Sequence, residues 1–166
     1  MSASRFTGVG RLFGMTSTIK TNIRADAEIV WHLLIDARGF PRWNSTITAI
    51  DGEIHEGERL ELNVPGTRHT FTPTVSGVVP RRRMVWSEGI LPVFRGVRTF
   101  VLERCLDGST NFKMEQRFSG LVFALVKRKL PDFRPIFEAF ADDLKREAES
   151  IAREHESAWT ALRRGA

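Results

Sequence analysis

A chain of 166 residues, 42% hydrophobic and 27% charged, fits one soluble globular domain with its own core and excludes disorder as the default state. No apolar run reaches the roughly 18–20 residues of a membrane span. The single cysteine, Cys105, excludes an internal disulfide and favours a cytoplasmic location. The net charge of +5 could attract nucleic acid or anionic lipid, but only Arg81-Arg82-Arg83 and Lys127-Arg128-Lys129 cluster. The remaining excess reads as a solvated basic surface. Twelve Phe and four Trp stand against no Tyr, which supplies apolar bulk without a phenolic acid.

Residues 1–16 read as a flexible N-terminal tail, with no acid and no secretory apolar stretch, and Met15 offers an alternative start. Gly8, Gly10 and Gly14 imitate a dinucleotide fingerprint. The third glycine comes one place late, however, and no strand is expected before them. The domain itself reads as 17–158, with 159–166 as a C-terminal tail.

Ser17 to Arg24 alternates Thr18, Lys20 and Asn22 against Ile19, Thr21 and Ile23, the period of a strand. Asp26 is placed to cap a short helix whose apolar residues are Ile29, Val30, Leu33 and Leu34. Gly39, Phe40 and Pro41 break it, and a second short turn leads to Trp43 and Asn44. Period-two segments follow over 47–54, 59–64, 69–79, 83–88, 94–106 and 110–118. Asp51-Gly52, Pro65-Gly66, Pro80, the Leu91-Pro92 region and Asp107-Gly108 separate them, so the strands are expected as antiparallel neighbours.

The last element runs from Leu130 to His155. Leu130, Phe133, Ile136, Phe137, Phe140, Leu144, Ala148 and Ile151 fall on one helical face. Arg134, Glu138, Asp142, Lys145, Arg146, Glu149 and Arg153 fall opposite, with Asp142–Arg146 and Glu149–Arg153 spaced for pairing. Pro131 and Asp132 suit its first turn. Strand, two short helices, six strands and a long helix make an α+β pattern with segregated helices.

Several stretches in this order carry a family resemblance. They are Val30-Trp31 with Asp36, then Phe40-Pro41-Arg42-Trp43-Asn44, then Asp51-Gly52 and Gly57. Next come Phe71-x-Pro73-x-Val75, Pro80 with Trp86, Phe100-x-Leu102 and Phe118-Ser119-Gly120-Leu121. Together, over about Thr18 to Ile151, the chain resembles the polyketide cyclase/dehydrase branch of the SRPBCC (START-like) superfamily. The resemblance implies a helix-grip fold: a curved antiparallel sheet of about seven strands wrapped around the C-terminal helix. The hydrophobic cavity between them is implied by the resemblance alone. Family members often carry a histidine near the Arg98 position, and this chain has none there, so no acid–base residue is carried over.

Parity places Met84, Trp86 and Glu88 on one strand face, Arg98, Phe100 and Leu102 on the next, and Phe112, Met114, Gln116 and Phe118 on the last. A hairpin around Leu91 to Val93 is expected to set Glu88 across from Arg98 and Trp86 across from Phe100. Glu88, Arg98 and Gln116 then become polar groups on an aromatic wall, an arrangement that serves either to orient a ligand or as a structural ion pair. The expected ligand-binding set is Trp43, Phe71, Trp86, Glu88, Arg98, Phe100, Met114, Gln116, Phe118 and Phe137. No histidine pair or cysteine cluster has metal-ligand spacing, and neither a nucleophile elbow nor a P-loop is present.

The first expectation is therefore a carrier or sensor of a small hydrophobic or amphipathic molecule (a lipid, polyketide or aromatic compound) with no cofactor. A cyclase/dehydratase-type enzyme using the same cavity is the alternative, although no catalytic residue is identified. A protein- or membrane-interaction role through the basic clusters comes third. Transient membrane contact and a homodimer are both compatible with the first reading. Nucleic-acid binding is not expected, because no recognition motif accompanies the charge.

Overall fold

Strand β2 (Gly14–Ile23) shows how the pattern makes the fold: Ser17, Ile19, Thr21 and Ile23 are buried while Lys20 is exposed. The computed structural model describes residues 7–11, 14–66, 69–126 and 132–164. Helix α1 (Ala27–Ile35) starts where Asp26 accepts the Glu28 N–H at 2.8 Å, and it buries Val30, Trp31, Leu33 and Leu34. Asp36 then accepts the Gly39 N–H at 3.1 Å, closing one 3-10 turn before the single-turn α2 (Phe40–Trp43).

The strands that follow are β3 (Ala49–Asp51), β4 (Glu61–Asn63), β5 (Thr74–Val79), β6 (Arg83–Ile90), β7 (Phe94–Arg104) and β8 (Thr110–Ser119). Among the described residues β5 to β8, β2 and β1 (Thr7–Arg11) form one antiparallel sheet in the order β1-β2-β8-β7-β6-β5. Strands β3 and β4 form a separate ribbon. Bridges from Leu62 to Phe71 and from Arg59 to Thr74 tie that ribbon to the approach of β5. The sheet folds around the C-terminal helix as a helix grip.

Helix α4 (Arg134–Arg164) buries Phe137, Phe140, Ala141, Leu144 and Ala148 against β2 and α1, the stripe expected from its spacing. Strand β1 and the short helix α3 (Leu121–Val126) are elements the sequence pattern did not announce. Part of the expected N-terminal tail is thus an edge strand, because pairing with β2 satisfies backbone that no side-chain period reports. The expected C-terminal tail is likewise helical as far as Arg164. Helix α4 begins at Arg134 with Pro135 in its first turn, and Asp132 accepts the Arg134 N–H at 3.0 Å. Lys127-Arg128-Lys129, Leu130 and Pro131 lie outside the described residues.

The outer face of α4 departs from expectation in its pairing. Asp143, not Asp142, takes Arg146, at 2.6 Å. Glu149 is only 8% exposed; it accepts the Arg24 N–H at 3.0 Å and pairs with Lys145 at 3.4 Å instead of Arg153. Both carboxylates turn toward neighbouring elements because those supply backbone donors, which helical spacing cannot foresee. Asp143 also accepts the Ser45 N–H at 2.7 Å and its hydroxyl at 2.6 Å, joining α4 to the loop after α2.

Candidate functional site

Between the sheet and the first half of α4 lies a chamber of about 300 Å³, near the small end of ligand pockets. Strands β6, β7 and β8 contribute Trp86 and Glu88, then Phe94, Gly96 and Arg98, then Gln116 and Phe118. Phe133, Ile136, Phe137 and Phe140 face them, while Phe123 of α3 and residues from Thr46 to Pro73 complete the wall. Ile136 lines the chamber yet is 38% exposed, which marks the mouth.

The mouth is shaped by glycine. Gly120 has φ of +117°, and a Cβ there would stand 2.4 Å from the Val93 carbonyl oxygen. That close approach lets the Leu121 and Val122 N–H groups donate to the Pro92 and Val93 carbonyls at 2.8 and 3.0 Å. Helix α3 is thereby fastened to the β6–β7 turn. Ile90, Leu91, Val93, Leu121, Val122 and Leu125 leave a large apolar surface exposed on these two pieces.

Of the ten residues expected at a ligand site, the chamber brings together Phe71, Trp86, Glu88, Arg98, Gln116, Phe118 and Phe137. Trp43, Phe100 and Met114 are not on its wall. They are packed into the core, Trp43 with its ring 4.7 Å from Phe40 and 5.9 Å from Phe140. Asn44 is a turn-former, its Oδ1 accepting the Thr46 and Ile47 N–H groups at 2.9 and 3.0 Å. Phe94 and Gly96 share parity with Arg98 and were legible from the sequence. Phe123 was not, because nothing in the pattern signalled α3.

The expected Glu88–Arg98 pair does not form. Ile90 pairs with Phe94 across a Leu91-Pro92-Val93 turn, so Trp86 lies opposite Arg98, Glu88 opposite Gly96 and Met84 opposite Phe100. The register is displaced by two residues from the expected one, which preserves the face and changes the partners. Glu88 instead accepts the Thr72 N–H at 2.9 Å and the Thr72 hydroxyl at 3.3 Å. Arg59 donates to that same hydroxyl at 2.9 Å.

Arg98 donates from Nε to Gln116 Oε1 at 2.8 Å, and its guanidinium lies 5.5 and 5.9 Å from the ring centres of Phe137 and Phe140. Among the described residues no carboxylate pairs with it. It is half-buried and lines the chamber, and burial pulls its pKa down to about 10, since the charged form is the one desolvation penalises. Trp86 is 2% exposed, and its indole N–H has no acceptor among the described residues. Among the described residues lining the chamber, Glu88 and Arg98 are the only acidic or basic side chains, and no three His, Cys, Asp or Glu residues gather as metal ligands.

A family described as polyketide cyclase / dehydrase and lipid transport matches residues 15–149. The chain belongs to that family. A search of curated proteins finds no match to the sequence. Solved structures with the same fold include CalU16 from Micromonospora echinospora, 19% identical, with a TM-score of 0.63 over 96% of this chain and 98% of that one. A conserved protein of unknown function from Enterococcus faecalis is 13% identical, with a TM-score of 0.66 over 95% and 92%. A START superfamily protein from Mycobacterium smegmatis is 16% identical, with a TM-score of 0.61 over 82% and 98%. At these identities the neighbours speak for the fold alone. This START-like, polyketide cyclase-like domain therefore draws its functional reading from its own chamber. No described helix is long and apolar enough to cross a membrane.

Proposed function

We propose that this protein binds a small hydrophobic or amphipathic molecule (a lipid, polyketide or aromatic compound) in the chamber between sheet and helix, as a carrier or sensor. The observation that carries this reading is the chamber itself, with aromatic walls from five elements and a few polar groups on one side. The family description, which names lipid transport beside cyclisation, supports the same class of ligand. Among the described residues lining the chamber, an enzymatic reading has a single carboxylate to work with, Glu88, already engaged by Thr72. The arrangement favours holding a ligand over moving its protons.

Native mass spectrometry of freshly purified protein, with organic extraction of what co-purifies, tests the reading. The expected result is a stoichiometric apolar adduct that disappears in Gly96→Leu, a substitution that places a side chain where Phe94 and Phe118 leave ordinary contact space. An adduct retained in that variant overturns the assignment to this chamber. If Glu88→Gln abolishes turnover of a bound compound without displacing it, the enzymatic alternative takes its place.

A second reading, contact with a lipid surface, is favoured by the exposed apolar residues of the β6–β7 turn and α3. The chain runs on from α3 into Lys127-Arg128-Lys129. The other basic cluster stands elsewhere: Arg81 pairs with Glu28 at 2.9 Å, and Arg83 opens β6 about 23 Å from the turn that closes it. Co-sedimentation with phosphatidylserine-containing vesicles, abolished in Leu91→Glu/Leu125→Glu, is the expected outcome. Unchanged sedimentation of that variant removes this reading.

A further inference from the structure

We propose that the ligand is a monocarboxylic acid with a compact aromatic or alkyl body, its carboxylate held by the Arg98 guanidinium. This rests on the ligand-binding reading above and names the class of ligand. Trp86 and Arg98 are directly opposite each other on β6 and β7, and both line the chamber. The Trp86 ring backs the wall there, and the charge on it is the Arg98 guanidinium.

The free hydrogen-bonding positions of Arg98 are all donors. A guanidinium carries five N–H groups in a planar fork, and among the described residues the acceptor Arg98 meets is the neutral Gln116 Oε1. Buried donors in folded proteins are almost always satisfied, and buried cations are paired. For ionised groups turned inward that rule holds at Asp143 and Glu149, each of which has several donors or cations around it. The occupant that completes the Arg98 site is therefore an acceptor, anionic and planar. A carboxylate matches the guanidinium fork with two parallel bonds.

Around this polar spot the ligand meets Phe118, Phe137 and Phe140, so the rest of it is apolar. Glu88 limits it further. That carboxylate stands two residues along β6 on the same face, about 7 Å from Trp86, and repels a second anion. One carboxylate is accommodated and two are not.

Isothermal titration of the full chain separates the possibilities, using 2-naphthoate against the isosteric 2-naphthamide and decanoate against decanol. For the unaltered protein, at least one acid is expected to bind tenfold or more tightly than its neutral counterpart, and 2,6-naphthalenedicarboxylate more weakly than 2-naphthoate. Arg98→Met should reduce the preference for the acid to less than threefold while the neutral probe still binds, and Arg98→Lys should keep part of it. Glu88→Gln should narrow the gap between mono- and diacid. Thermal melts of each variant confirm folding, and the comparison within the unaltered protein needs no variant at all. Equal binding of acid and neutral probe, or a preference that survives Arg98→Met, overturns the acid assignment and leaves the chamber reading standing. If none of the probes binds the unaltered protein, the chamber reading falls and this inference falls with it.

Discussion

Asp143 and Arg98 are both charged side chains turned into the fold, and their surroundings differ in kind. Asp143 sits at the joint between α4 and the loop after α2, where the Ser45 amide, the Ser45 hydroxyl and Arg146 all reach it. Arg98 sits on the chamber wall with one neutral acceptor and two aromatic faces. The joint is a finished structure. The wall keeps donors unmatched within the protein, at a cost to stability that makes sense if a ligand matches them.

The largest effect that sharpens this contrast comes from phenylalanines. Phe112, 1% exposed in solid core, should lose about 3–5 kcal/mol on truncation to Ala, whereas Phe118 already faces free space and should lose only about 1–3 kcal/mol. Urea denaturation of the two variants measures the difference, and equal losses would mean the chamber is packed as tightly as the core. Next in size, Asp143→Ala should destabilise the fold by about 2–4 kcal/mol, because Ser45 and Arg146 lose their shared acceptor. Affinity for chamber ligands should not change with it.

A smaller effect follows from pH. Burial acts to raise the Asp143 and Glu149 pKa values, but the Ser45 and Arg146 contacts of the first and the Arg24 and Lys145 contacts of the second outweigh it, holding both below the ordinary carboxylate range. A depressed carboxyl pKa contributes stability above the unfolded value and loses it as pH falls through the folded one. Melting temperature should therefore decline below about pH 4, and Asp143→Asn should flatten that decline. The smallest shift belongs to Arg98→Met, expected to leave stability unchanged or raise it by up to about 2 kcal/mol, since it removes a poorly matched buried cation. The sign follows from its pKa: a base held down at about 10 is penalised in its charged form at all lower pH, and the penalty is relieved only above that value. Marked destabilisation in this variant would place Arg98 with Asp143 as a structural group.

Much of this molecule was legible before folding. The α4 stripe, the Asp26 cap and the inward faces of β6, β7 and β8 all follow from local spacing, and parity set Glu88, Arg98 and Gln116 on one wall. Trp43, Phe100 and Met114 lie in the core and off the chamber wall, which local spacing could not show, because parity tells which side of a sheet a residue faces and not whether a void or a neighbour lies there. Helix α3 and the true partners of Asp143 and Glu149 also went unseen, since they depend on residues far away in the chain.

Apart from β1 and α3, the sequence by itself determined the elements, their order and their faces, because capping, turn chemistry and periodicity act within a few residues. Only the tertiary structure decided that Glu88 binds Thr72 while Arg98 is left with Gln116, because closing β6–β7 on Ile90 and Phe94 sets every pair along the hairpin. It alone decided the chamber too. A cavity is the space that many packed surfaces leave between them, and no single segment encodes it.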